Sequence, residues 1–128
     1  METDREWVID RGDLKGVSSA RRDFSRYLND KCSDDQGCYD AALIFGELVA
    51  NAVRCARTSV SVELRNNGCS VLRVVDDGDC FERPNVAPQP PLAQSGRGLY
   101  IVSCLARELR VAAGHHHCEV TAVLPVRV

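Results

Sequence analysis

The chain has 128 residues, 45% of them hydrophobic and 27% charged, which suits one ordinary domain with a buried core. A net charge of −2 and no basic run longer than two residues argue against a nucleic-acid surface as the main function. The charged start, Met1 to Glu6, has no apolar core of a signal peptide, and no apolar run is long enough to span a bilayer.

Seven cysteines, at 32, 38, 55, 69, 80, 104 and 118, include no C-x-x-C pair, and the number is odd. A disulfide framework or a four-cysteine zinc site is therefore not expected. The cysteines read as reduced thiols of a cytoplasmic protein, several of them small core residues.

Glu6 to Asp10 is a short strand candidate, ended by Arg11-Gly12-Asp13. From Leu14 to Lys31, Val17, Ala20, Phe24, Tyr27 and Leu28 recur at helical spacing, with Arg21, Arg22 and Arg26 on the solvent side. Ser33 to Gly37 is a turn and cap, and a long helix follows from about Gly37 to Ala56. Within it, Glu47, Asn51 and Arg54 fall on one stripe, while Phe45, Leu48, Val49, Ala52 and Val53 make the remainder apolar. Gly46 weakens this helix unless something approaches its backbone closely.

Thr58 to Arg65 alternates as a strand, Asn66-Asn67-Gly68 signals a hairpin, and Cys69 to Asp76 returns. Asp76 is in phase with Leu72 and Val74, so it should emerge at the strand end on the core side. Val71 and Val75 point to the other face, a surface that a partner would be able to cover. Residues 77 to 95 carry four of the five prolines and no periodic apolar pattern, so they read as a long loop, either functional or disordered. Gly96-Arg97-Gly98 ends that loop, and a helix is expected to start at Leu99. Leu109 to Ala113 and Val120 to Leu124 alternate as the last two strands. The order β-α-α-β-β-loop-α-β-β implies a single domain over 1–128. Its class is α+β: a two-layer α/β sandwich, with a mixed, mostly antiparallel sheet and three helices on one face.

Three polar features are expected to converge. A carboxylate and a carboxamide on a buried helix need partners, although a solvated helix edge would give the same pattern. Asn and carboxylate oxygens suit Mg²⁺, which keeps waters and phosphates as its other ligands. Glycines at a helix start let a phosphate approach free N–H groups. A carboxylate at a pocket edge can accept from an exocyclic amine.

The segments Glu47-Leu-Val-Ala-Asn51-Ala-Val, Asp76-Asp-Gly78 and Gly96-Arg-Gly98-Leu99 resemble the N, G1 and G2 boxes of the Bergerat-type (GHKL) ATPase superfamily. The compact form, with Ile101-Val102 after Gly-Arg-Gly-Leu, is similar to the anti-sigma-factor serine/threonine kinases of bacterial stress and sporulation switches. The resemblance runs from about Trp7 to Pro125 and implies a Bergerat ATP-binding fold, with residues 79 to 95 as a lid. It implies ATP and Mg²⁺ as ligands, with Asn51 on the metal and Glu47 as general base. It places Asp76 and Gly78 at the adenine, and Gly96, Arg97, Gly98 and Leu99 around the phosphates. Cys80 stands where the G1 box usually has a glycine, so it would narrow the pocket or stiffen the lid.

The implied activity is a cytoplasmic serine/threonine protein kinase. It would act in transcription regulation on an anti-anti-sigma (STAS) partner and hold a sigma factor otherwise. No direct nucleic-acid or membrane contact is implied, and a homodimer is compatible. Two other readings are a nucleotide-dependent switch with little or no kinase activity, and an ATP-binding module of a histidine-kinase-like system.

Overall fold

A computed structural model describes residues 4–32, 34–78 and 94–126. The elements are β1 (Arg5–Asp10), α1 (Leu14–Lys31), α2 (Asp35–Cys55), β2 (Ser59–Asn67), β3 (Cys69–Asp76), α3 (Gln94–Leu105), β4 (Glu108–Gly114) and β5 (His117–Val123). The sheet order is β1-β2-β3-β5-β4. All four pairings are antiparallel, which narrows the mixed sheet expected from the sequence to an antiparallel one.

Local chemistry sets the element ends. Asp13 caps α1 by accepting from the Gly16 N–H at 2.9 Å, and Asp34 caps α2 through the Gly37 N–H at 3.0 Å. Each cap satisfies a donor that the first helical turn would leave orphaned. The β2–β3 hairpin reverses at Gly68, where φ is +80°, a region that glycine enters without a Cβ penalty.

The helices lie on one face of the sheet, and α2 is central, touching α1, α3, β2 and β3. Its apolar residues Ala41, Ile44, Phe45, Leu48, Val49, Ala52 and Val53 are buried against Val60, Val62, Leu64, Leu72 and Val74 of the sheet. Phe45 stacks on Phe24 of α1, and Trp7 of β1 meets both rings edge-on. These rings join α1, α2 and β1 into one core.

The other sheet face carries Arg73, flanked by Val71 and Val75, and no described helix covers it. Its guanidinium reaches Glu63 at 3.4 Å and Glu119 at 2.8 Å. The hydrogen bond from Arg73 holds the Glu119 carboxyl below its ordinary range. Charges thus interrupt the two valines on which a covering partner was expected.

Gly46 sits under the Arg21 side chain, whose Nε lies 3.5 Å from where a Cβ would be, an ordinary contact distance. Five cysteines, Cys32, Cys38, Cys55, Cys69 and Cys104, are free thiols, whereas Cys118 is disulfide-bonded. That corrects the expectation of reduced cysteines throughout. Spacing could not reveal it, because a bond across a fold leaves no local motif. Burial, reinforced by a hydrogen bond with Cys32, pushes the Cys38 thiol up to about 12, which makes it a core residue rather than a nucleophile. No helix among the described residues is long and apolar enough to cross a membrane.

Candidate functional site

Helix α2 presents Glu47, Asn51 and Cys55 at successive i, i+4 steps, so they form one slowly drifting line about 12 Å long. The end of β3 meets this line at Cys55, and α3 meets it at Glu47.

The strand end is fixed by backbone. A Cβ on Gly78 would lie 2.1 Å from the Cys55 carbonyl oxygen, so only glycine fits this approach. Asp76 is 4% exposed and its Oδ1 accepts from the Gly78 N–H at 2.8 Å, which holds the carboxylate at the turn. Asp77 faces away and ties the strand end to the chain leaving α2. It accepts from the N–H groups of Arg57 at 2.7 Å and Thr58 at 3.1 Å, and from the Thr58 hydroxyl. The Thr58 hydroxyl bond, helped by the two N–H groups, lowers the Asp77 pKa from 3.8 to about 2.

The middle of the line is Asn51, 6% exposed. Its Oδ1 accepts from Arg54 at 3.4 Å, a long bond, and its buried Nδ2 has no partner among the described residues. A buried carboxamide left half satisfied costs free energy unless a ligand completes it. Turning the amide over would present an oxygen at the same point, at the cost of the long bond from Arg54, whose guanidinium cannot accept from the amide nitrogen. The donor set therefore fits a hard cation that also binds phosphate and water.

At the far end, a Cβ on Gly98 would lie 2.7 Å from Glu47 Oε2. The glycine lets α3 come close to the carboxylate that the sequence reading assigned as base. The helix begins at Gln94, not at Leu99 as expected, so Gly96, Arg97 and Gly98 lie within its first turns. The free N–H groups of this helix start are then those of residues 94 to 97. Two glycines and the nearby prolines read as loop in the sequence, but contact between α3 and α2 overrides that weak local preference. Leu99 is buried in the core, beneath the α3 start rather than open to it.

The structure thus brings together Glu47, Asn51, Asp76, Gly78 and Gly98. The expected lid and Cys80 lie outside the described residues. Sequence reasoning missed Asp77, whose partners are 19 and 20 positions away, and the Cys55 carbonyl, since any residue could supply a carbonyl. Two grooves of about 610 and 470 Å³ run along α1, and neither includes Glu47, Asn51 or Asp76. A smaller depression of about 220 Å³ does reach Asp76 and Asp77, beside Ser59, Ser61, Val75, His116 and His117. The site is identified mainly by its converging polar groups.

Residues 11–124 match the family described as histidine kinase-like ATPase domain. One similar structure is that of the RsbU and RsbW domains of Rv1364c from Mycobacterium tuberculosis. It has a TM-score of 0.66 and 17% identity, over 97% of this chain and 33% of that one. Another is the Acinetobacter baumannii histidine kinase AdeS, with a TM-score of 0.50 and 15% identity, over 97% of this chain and 68% of that one. The chain therefore spans about a third of the first of these proteins. At such identities the likeness is one of fold. No curated protein sequence is significantly similar to this chain.

Proposed function

Because the chain belongs to the histidine kinase-like ATPase domain family, we propose that it binds ATP with Mg²⁺ and phosphorylates a serine or threonine of an anti-anti-sigma (STAS) partner. When not so engaged, it holds a sigma factor, acting in the cytoplasm as a transcription regulator. The observation that carries this reading is the α2 line: a buried Asn51, whose Nδ2 has no partner among the described residues, between a carboxylate-bearing strand end and a glycine-lined helix start. The Gly96-Arg-Gly98-Leu99 segment followed by Ile101-Val102, and the fold shared with a structure containing an RsbW domain, support the anti-sigma form.

Each residue has a chemical task in this reading. Asp76 accepts from the adenine amino group, and Gly78 keeps the neighbouring backbone close enough for the base to pack on it. Asn51 would contribute an oxygen to the metal, which would neutralise phosphate charge. The first N–H groups of α3 bind phosphate oxygens, with Gly96, Arg97, Gly98 and Leu99 shaping that end. Glu47 orients the attacking hydroxyl and takes its proton. Phosphoryl transfer depends mainly on positioning and charge stabilisation, so this set is chemically sufficient.

The test is transfer of labelled phosphate from ATP to a purified STAS partner. Wild type should label the partner, and Glu47→Gln should transfer on the order of 10²- to 10⁴-fold more slowly while still binding ATP. Nucleotide binding without transfer to any cognate partner would remove the kinase assignment and leave a switch module.

A further inference from the structure

The sheet ends at β1, whose outer edge is not paired among the described residues. The Arg11 N–H bonds to the Thr58 carbonyl at 2.8 Å, and this pair continues the β1–β2 register. In an antiparallel ladder alternate residues face the partner, so residues 5, 7, 9 and 11 are turned toward β2. The N–H and C=O groups of Glu6 and Val8, and the N–H of Asp10, therefore point outward. The Asp10 carbonyl is taken by the Asp13 N–H at 3.1 Å. Val8 is 66% exposed.

Beside this edge runs a groove of about 470 Å³, between β1 and α1. Gly16, Ser19 and Ala20 make room in its helix wall, Trp7 lies on the strand side, and Arg22 and Arg26 also line it. Asp23 is also in the groove, but it is already engaged by the Trp7 indole N–H at 2.9 Å and by Arg5 at 3.7 Å. Arg22 and Arg26 make no ion pair among the described residues, so the groove side offers two uncompensated positive charges.

We propose that this edge is a docking site for an extended segment of a protein partner, added as a sixth strand beside β1. Main-chain hydrogen bonds to Glu6, Val8 and Asp10 would give the segment its affinity. Charge decides its composition. Side chains on the groove side meet Arg22 and Arg26 and must be acidic. Those on the opposite face meet Glu6, Val8 and Asp10, in the order acidic, apolar, acidic, and must be basic, apolar, basic. Spacing agrees: Arg22 and Arg26 are about 6 Å apart along the helix axis, and alternate strand residues are about 6.8 Å apart. A second copy does not fit, because antiparallel pairing of two β1 strands about Val8 sets Glu6 against Asp10 of the other copy. The acidic pair on a free edge thus repels the chain's own edge while selecting a complementary one. This site is separate from α2, and it stands whether or not the kinase assignment does.

The test is an NMR titration of the ¹⁵N-labelled full chain with the peptide Thr-Lys-Glu-Val-Glu-Lys-Thr. The charge-swapped peptide Thr-Glu-Lys-Val-Lys-Glu-Thr is the control. The first peptide reads the same in both directions, so it satisfies the pattern in a parallel or an antiparallel pairing. The amides of Glu6, Val8 and Asp10 should shift and gain protection from hydrogen exchange, and the control should bind more weakly. Arg22→Ser and Arg26→Ser should each weaken binding roughly two- to fivefold. Val8→Pro, which removes one outward donor, should abolish it, and the two arginine variants, on an exposed helix face, carry the test if that protein does not fold. Shifts confined to other regions, or equal binding of both peptides, would overturn the proposal. So would β1 shifts that track protein concentration without peptide, since these would mark a second copy.

Discussion

The two ends of the α2 line are built differently. At the strand end, backbone meets backbone: Gly78 lies against the Cys55 carbonyl, and Asp77 clips the turn to Arg57 and Thr58. At the helix end, backbone meets a side chain: Gly98 lies against the movable carboxylate of Glu47. A rigid wall beside Asp76 suits recognition of a flat base, where small displacements lose hydrogen bonds. Under the proposed reaction, a wall that yields would suit the end where the Glu47 carboxylate changes its hydrogen-bond partner.

Equivalent glycine substitutions should therefore fail in different ways. Gly78→Ala forces a Cβ into a carbonyl oxygen that cannot move without moving α2, and it should cost about 3 kcal/mol of stability. A thermal melt reads this directly, and an unchanged midpoint would show that the strand end is not held as described. Gly98→Ala displaces only the Glu47 side chain. It should leave the melt nearly unchanged and slow phosphoryl transfer on the order of 10²-fold. Matching losses of stability in the two variants would erase the distinction between the walls.

The Asp77 clip sharpens the comparison through pH. Its carboxyl has a folded pKa of about 2, below the ordinary 3.8, so its contribution is present above pH 4 and is lost as pH falls toward 2. Asp77→Ala should be less stable than wild type near neutral pH, and the gap should close between pH 4 and 2. A gap that persists at pH 2 would assign the effect to packing rather than to the ionised carboxylate. The smallest effect is expected where a glycine has neither kind of wall. Gly46 meets only the Arg21 side chain at ordinary contact distance, so Gly46→Ala should stabilise α2 by about 0.5–1 kcal/mol without changing ATP affinity.

Much of this arrangement is legible in the sequence because local chemistry encodes it. The apolar spacing in α1 and α2, the Asn-Asn-Gly hairpin and the phase of Asp76 with Leu72 and Val74 all survive in the structure. Contacts between distant segments are not legible. The start of α3 at Gln94 depends on packing against α2, which a Gly-x-Gly segment does not announce. Asp77 reads in the sequence as the start of the long loop, yet its bonds tie the α2 end to the β3 end. The disulfide at Cys118 and the order β3-β5-β4 are likewise products of topology. Within the site, Glu47 and Asn51 could be placed from helical spacing alone. That Asn51 would be buried with an Nδ2 unpartnered among the described residues could not.

That group is the most direct handle on the central claim that α2 is one side of a nucleotide pocket. Calorimetric titration with Mg-ATP should detect binding to wild type. Asn51→Ala should keep its fold, since it removes a buried donor with no partner among the described residues, yet bind at least about tenfold more weakly, a loss of about 1.4 kcal/mol. Absence of binding to wild type, or equal binding by the variant, would contradict the account.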